Sequence, residues 1–190
     1  GTPFTEVLVP LRQPDTKASL LSHSPAGKVP VLKHGHRTIW DSLAICEYLA
    51  ERHPEAGLWP ADADARAHAR CVVAEMHSGF QDLRRNLFMD LKQRHDAPDR
   101  VAAAAADIAR VQAIWQECRA AHAAAGPFLF GGFTMADCFY APVCTRFDTW
   151  GVDLSPVARA YADAVLAHPA MVAWREAARA EPWVIDYLAV

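Results

Sequence analysis

The sequence predicts a small α/β unit followed by an all-helical one, and three observations carry that expectation. Runs of β-formers, Phe4–Val9, Val29–Leu32 and Thr38–Trp40, all precede Asp41. From Ala65 onward the apolar residues recur at three- and four-residue steps, the period of a helix face. Between the two patterns, residues 54–63 hold prolines, a glycine and Leu58-Trp59 and read as a linker.

Composition narrows the function classes. The chain has 190 residues, a net charge of −3 and 52% hydrophobic residues, which suits one domain or two small ones of a soluble globular protein. It has no basic run interleaved with aromatics, so no nucleic-acid partner is expected. No apolar stretch reaches the ~20 residues of a membrane helix, so no membrane partner is expected either. Five cysteines, Cys46, Cys71, Cys118, Cys138 and Cys144, lie in helix-like, mostly apolar settings without a Cys-x-x-Cys pair. They read as free thiols of a reducing compartment, and a cytoplasmic location follows. The histidines lack ligand spacing; His34-x-His36 flanks Gly35 in a hairpin turn, and no metal is expected.

Phe4–Val9 is rich in β-formers and ends at Pro10, which predicts the first strand. Ala18, Leu20 and Leu21 predict a short helix within residues 11–25. The loop Ser24-Pro25-Ala26-Gly27-Lys28 then enters the strand Val29–Leu32, where Pro30 has no N–H for a ladder. An X-Pro bond at a strand start is a place for a cis peptide. Such a bond would turn the Val29 N–H and C=O outward, free to pair with an extended peptide. After the Gly35 turn and Thr38–Trp40, a helix runs from Asp41 to about Arg52 and stops before His53-Pro54. Asp41 and Ser42 place a carboxylate and a hydroxyl beside the unpaired N–H groups of its first turn, either as an anion site or as a plain cap. Cys46, on the apolar face of that helix, reads as a small core hydrophobe.

In the second part, Val72, Val73, Met76, Phe80, Leu83, Leu87 and Leu91 predict one long helix from Ala65 to about His95. A second long helix, Asp99–Ala125, carries Ile108, Val111, Ile114, Trp115 and Cys118, and the break at Asp96–Asp99 makes the two antiparallel neighbours. Gly126–Gly132 is a turn. Thr134 and Asp137 have the spacing of a capping box, with Phe133 at the staple position over Cys138. Residues 157–167 and 169–180 predict two helices separated by His168-Pro169, and a tail bearing Trp183 ends the chain.

The stretch Pro25-x-x-Lys28-Val29-Pro30-x-Leu32, a hairpin, and Asp41-Ser42-x-Ala44-Ile45-x-Glu47-Tyr48-Leu49 together resemble the glutathione-binding half of the cytosolic glutathione transferases. Thr134-Met135-Ala136-Asp137 resembles the buried helix start of their second domain. Ser42-Leu43-Ala44-Ile45, Gly79-Phe80-Gln81 and Asn86-Leu87 look most like the zeta class, the maleylacetoacetate isomerases. The resemblance implies a thioredoxin-like glutathione-binding domain over 1–53, a linker over 54–63 and an all-helical domain over 64–190. It assigns Val29 and Pro30 to the cysteinyl part of glutathione, Asp41 and Ser42 to its γ-glutamyl end and Lys28 to its glycyl carboxylate. Gln81 and Asn86 would approach from the long helix. Glutathione would serve as co-substrate toward a small electrophile, by conjugation or thiol-assisted isomerisation. A homodimer through the two long helices is implied. The acceptor pocket would draw on Met76, Phe80, Arg84, Phe88 and Trp150; for Met76 and Phe80 ordinary helix core is the alternative. Arg84-Arg85 reads as a dimer-interface or solvent pair sooner than as a contact to an anionic substrate.

Two departures from the family pattern stand out. Its first strand and helix have no counterpart here, so about 25 residues are expected upstream if the whole is a two-domain protein of about 215 residues. Gly1-Thr2-Pro3-Phe4 would be the turn after that helix, and the residue that activates the glutathione thiol would lie upstream of Gly1. A cysteine there would make a glutaredoxin-like reductase, and an apolar residue a non-catalytic scaffold. Secondly, the arginine with which zeta-class enzymes hold a dicarboxylate falls near Thr149. Arg146, almost one turn earlier, is the possible replacement, and the departure argues against maleylacetoacetate as substrate.

Overall fold

A computed structural model describes residues 2–183, and the contacts divide the chain into two units, Gly1–Ala56 and Gly57–Val190. The first unit contains helix α1 (Thr16–His23), strands β1 (Val31–His34) and β2 (Arg37–Trp40), helix α2 (Ser42–Arg52) and a 3-10 turn, Pro54–Ala56. The strands form an antiparallel hairpin in which Val31 faces Trp40 and His34 faces Arg37. Gly35, at φ +59°, supplies the left-handed backbone its two-residue turn requires. Among the described residues this unit buries only Leu20 and Ser24.

Two expectations are corrected here. Phe4–Val9 is not a strand: it has no hydrogen-bonded partner among the described residues, and Phe4 is 83% exposed. β-Formers make a strand only when a neighbouring strand accepts their backbone groups. The second strand begins at Val31, two residues later than expected, because ladder pairing starts only beyond Pro30, which has no N–H. The turn expected over Gly1–Phe4 lies partly outside the described residues, and Thr2–Phe4 has no regular structure. The tail beyond Trp183 lies outside them.

The second unit holds the core. Its helices are α3 (Ala63–Ser78), α4 (Gln81–Asn86), α5 (Pro98–Ala103), α6 (Ala105–His122), α7 (Met135–Thr149), α8 (Pro156–Leu166) and α9 (Pro169–Ala180). Helix α7 is buried along most of its length and packs against α3 and α8. Trp115 of α6 sits among the rings of Tyr140, Phe147 and Tyr161, at 4.8–6.0 Å between centroids. Helices α3 and α6 are antiparallel neighbours as expected, since Glu75 pairs with Arg110 and His68 lies 3.8 Å from Glu117.

The first long helix is instead two. Gly79 ends α3 in an extended conformation, with its N–H still bonded to Glu75 O, and Phe80 follows at φ +59°. Arg84 caps the break by donating to the carbonyls of Gly79 and Met76. Nor are residues 87–97 helical: the end of α7 and its C-cap Trp150 take carbonyls a helix would use. Arg146 Nε donates to Leu87 O (2.8 Å), Trp150 Nε1 to Phe88 O (3.0 Å) and Thr149 Oγ1 to Asp90 O (2.8 Å). The second long helix breaks at Ala104, which is fully buried where α4 packs on both α5 and α6. No glycine or proline marks that break; the packing sets it. Phe133 stacks on His168 at 4.1 Å and meets Phe128 edge-on.

Candidate functional site

The hairpin brings the sequence-predicted residues of the first unit together. The ladder ends at the Val31–Trp40 pair, so Pro30 and Asp41 each adjoin that pair in sequence, one entering β1 and the other leaving β2. The Val29–Pro30 peptide is cis. Lys28, Val29 and Pro30 are exposed, Val29 at 53%, and among the described residues no hydrogen bond uses the Val29 N–H or C=O. This leaves a donor and an acceptor on an open edge, a template for an extended peptide.

Asp41 heads α2 with φ +72° and ψ +130°, a backbone that L residues other than glycine rarely adopt. Its Oδ1 accepts from Leu43 N–H at 2.9 Å and its carbonyl from Ile45 N–H at 3.0 Å. Such a conformation costs about 1–3 kcal/mol and persists where the surroundings or the function demand it. It presents an exposed carboxylate beside the half-buried Ser42 and the first N–H groups of α2.

In the second unit, Gln81 and Asn86 lie on α4, and their amides donate to Ser78 O (3.2 Å) and Asp82 O (2.9 Å). Met76, Phe80 and Trp150 are buried and Phe88 is half-buried, with the Phe88 and Trp150 rings edge-to-face at 4.9 Å. Arg84 and Arg146 donate to backbone carbonyls, Arg84 at the α3 break and Arg146 at Leu87 and Pro142.

None of the five cysteines is in a disulfide, but Cys71 and Cys138 are exposed, unlike the apolar setting expected of them. Burial pushes the Cys118 thiol up to about 12, that of Cys144 well above its ordinary value and that of Cys46 upward. None of these three is a ready thiolate. Among the described residues, no group of His, Cys, Asp and Glu could hold a metal ion, and no helix is long and apolar enough to cross a membrane.

Three features escaped the sequence reading. Asp90 accepts from His95 Nε2 (2.9 Å) and from the N–H groups of Lys92 (2.8 Å) and Gln93 (3.1 Å), and His95 stacks on Trp150 at 4.5 Å. Burial pushes the Asp90 carboxyl up, but these hydrogen bonds together outweigh it and hold it below its ordinary value. The second feature is a mostly apolar cleft of about 540 Å³ beside Pro98, Ile108, Trp150 and Val152, which includes none of the predicted glutathione contacts. The third is a smaller, cationic cleft around Asp148 and Arg175. For it, the only sequence signal is Arg175 and Arg179, one helical turn apart.

Family comparisons agree with this architecture. The glutathione S-transferase N-terminal domain model matches residues 1–52, and the C-terminal domain model matches residues 98–177. Glutathione S-transferase 1 of Dianthus caryophyllus is 30% identical over 151 residues, 77% of this chain and 67% of that protein. Maleylacetoacetate isomerase of Rattus norvegicus is 33% identical over 135 residues, 70% of this chain and 60% of that protein. The match to a Caenorhabditis elegans relative spans 42% of that protein's length. The holo structure of a maleylpyruvate isomerase, a bacterial zeta-class glutathione S-transferase, superposes with a TM-score of 0.72 at 26% identity, covering 97% of this chain and 90% of that one. The chain belongs to the glutathione S-transferase family and has its fold, a small N-terminal sheet with helices and a helical C-terminal part. Zeta-class members are among its relatives.

Proposed function

We propose that this protein binds glutathione along Lys28–Pro30 and Asp41–Ser42 and uses it as co-substrate, transferring it to a small electrophile or isomerising one. Residues 1–53 form the thioredoxin-like binding domain, 54–63 the linker and 64–190 the helical domain on this reading. The observation that carries it is Asp41: a non-glycine residue at φ +72°, exposed, at the head of α2 and next in sequence to the ladder's last pair, which cis-Pro30 also adjoins.

The chemistry of the tripeptide matches what these residues offer. Its γ-glutamyl end carries an ammonium and a carboxylate on one carbon. The Asp41 carboxylate takes the ammonium, while the Ser42 hydroxyl and the α2 N-terminus take the carboxylate. The Val29 N–H and C=O pair with the cysteinyl backbone as one strand step. Lys28 meets the glycyl carboxylate. The assignment of Gln81 and Asn86 to the same ligand rests on the resemblance alone. None of these residues is assigned the activation of the thiol. In relatives, bound glutathione is part of the description of a Burkholderia homologue's crystal structure at 25% identity, which supports the ligand class. A cytoplasmic homodimer completes the proposal; sedimentation at micromolar concentration that gives only monomer contradicts that part.

Calorimetric titration of glutathione into the full-length protein and an Asp41→Ala, Ser42→Ala double variant tests the site. Binding in the micromolar to millimolar range that the variant loses supports it. No heat, and no competition by S-alkyl glutathiones, would instead make the chain a non-catalytic scaffold.

A further inference from the structure

The cleft of about 540 Å³ between residues 96–112 and residues 150–153 lies wholly within the second unit. Val101, Ala105 and Ala109 keep surface open to it, backed by the buried Ile108, Trp150 and Val152. Its volume is that of a small-molecule site. Of the residues that the resemblance assigns to an acceptor pocket, Trp150 alone borders it.

The charged groups of this cleft are of one sign. Asp96 and Asp153 are exposed at its edge, and neither carboxylate has a hydrogen bond or ion pair among the described residues. No Lys, Arg or His lines the cleft. Arg100, beside Val101 in sequence, sets its guanidinium over the Phe88 and Trp150 rings and donates to Asn86 O (3.2 Å). Gln112 is engaged as well: its Nε2 donates to Asp153 O (3.3 Å) and its Oε1 accepts from Ser155 N–H (2.9 Å). The cleft therefore offers an apolar wall and two carboxylates, with no cation of its own to balance them. A ligand with an apolar body and a positive charge satisfies both. Its body gains by leaving water, and carboxylates beside an apolar wall focus a field that favours a cation over an anion. A neutral ligand of the same shape gains only the first, and an anion is opposed by the second.

We propose that this cleft binds a small organic ammonium ion with an apolar body, the body against α5 and α6 and the ammonium beside Asp96 and Asp153. The proposal does not depend on the glutathione reading, and its test contains no glutathione. The full chain is titrated with 4-phenylbutylamine, 4-phenylbutanol and 4-phenylbutyrate at constant ionic strength, followed by residue-resolved amide NMR. The same titrations are made on an Asp96→Asn, Asp153→Asn double variant, with its thermal unfolding checked. The amine is expected to bind in the millimolar range or tighter, with its largest shifts at the amides lining the cleft. The alcohol should bind about fivefold more weakly, as partly exposed ion pairs allow, and the butyrate more weakly still. The double variant should bring the amine to the alcohol's affinity and leave the alcohol unchanged, a split that a purely structural role for the two acids would not produce. If the double variant does not fold, Asp153→Asn is read in the same way, with about a twofold loss for the amine alone. The assignment is overturned by absent amine binding, by shifts centred elsewhere, by butyrate binding as well as the amine, or by an unchanged ratio of amine to alcohol in the folded variant. Shifts of the lining amides that follow protein concentration without ligand would make a second copy of the chain the occupant, and would overturn it too.

Discussion

Asp41 and Asp137 are the same side chain at two helix starts, Asp41 as the N-cap of α2 and Asp137 in the first turn of α7, and they do different things. Asp137 is fully buried and accepts from Leu129 N–H (3.0 Å), Thr134 N–H (2.8 Å), Thr134 Oγ1 (3.2 Å) and Tyr161 OH (3.1 Å). Burial pushes its carboxyl above the ordinary value, against the pull of these donors. Asp41 stands exposed on a backbone unfavourable for its type; among the described residues Phe80, which is buried, is the other non-glycine residue at positive φ that heads a helix. On the proposed reading, the contrast separates an acid that organises a core from one that meets a ligand. A saturated carboxylate in a dry site has nothing left to offer a substrate, whereas Asp41, which caps the Leu43 N–H with Oδ1, keeps its carboxylate exposed on a strained backbone.

The comparison is broken most severely at Asp137. Asp137→Ala leaves two buried N–H groups and the Tyr161 hydroxyl without their acceptor, and is expected to cost about 3–5 kcal/mol in denaturant unfolding. A loss under about 1 kcal/mol would mean that the capping box is not the core device described here.

The next effect is smaller and depends on pH. Asp90→Asn weakens the acceptor for His95 and two backbone N–H groups, with an expected loss of about 1–2 kcal/mol at neutral pH. Because the folded state holds the Asp90 pKa low, its contribution is fully present above the ordinary carboxylate range and is lost as the pH falls through the lowered value. The gap between wild type and variant in urea midpoint should therefore shrink on acidification. A constant gap would show that the carboxylate's charge is not involved.

Smallest of the three is Glu75→Gln. The Glu75–Arg110 pair is bidentate, at 2.7 and 2.8 Å, but both side chains are substantially exposed, at 38% and 50%. Surface pairs contribute little, so about 0.2–1 kcal/mol is expected, less at high salt. A larger, salt-independent loss would place this pair with the buried groups.

What the sequence made legible was local chemistry. Pro30 after Val29, Asp41-Ser42 after a strand, and Thr134 three residues before Asp137 are each recognisable within a few positions, and the structure places Pro30 and Asp41 at the same end of the hairpin and closes the capping box. The helix breaks were not legible, for two reasons. The apolar steps run on through Leu83 and Leu87, which are buried by the packing of α4, so the periodicity masks Gly79 as a stop. Farther along, Leu87, Phe88 and Asp90 give their carbonyls to side chains of α7, more than fifty residues away, and no window of sequence contains both partners. Phe4–Val9 failed in the opposite sense, because its β-formers describe what a strand prefers and not whether a neighbour is there. The cationic cleft joins Leu91–Arg94 to α7 and α9 and is likewise visible only in three dimensions.

The most direct test of the central claim is one variant read in two ways. Asp41→Gly removes the carboxylate and supplies the residue best suited to φ +72°. Glycine is a tolerable N-cap, so relief of strain should leave stability unchanged or raise it by about 1 kcal/mol. Glutathione affinity, measured by calorimetry on the same full-length preparation, should fall by at least about tenfold. That split, a chain no less stable that no longer holds the tripeptide, is what an acid positioned for a ligand requires. A variant that loses stability while binding glutathione as before would show that Asp41, like Asp137, is a structural cap.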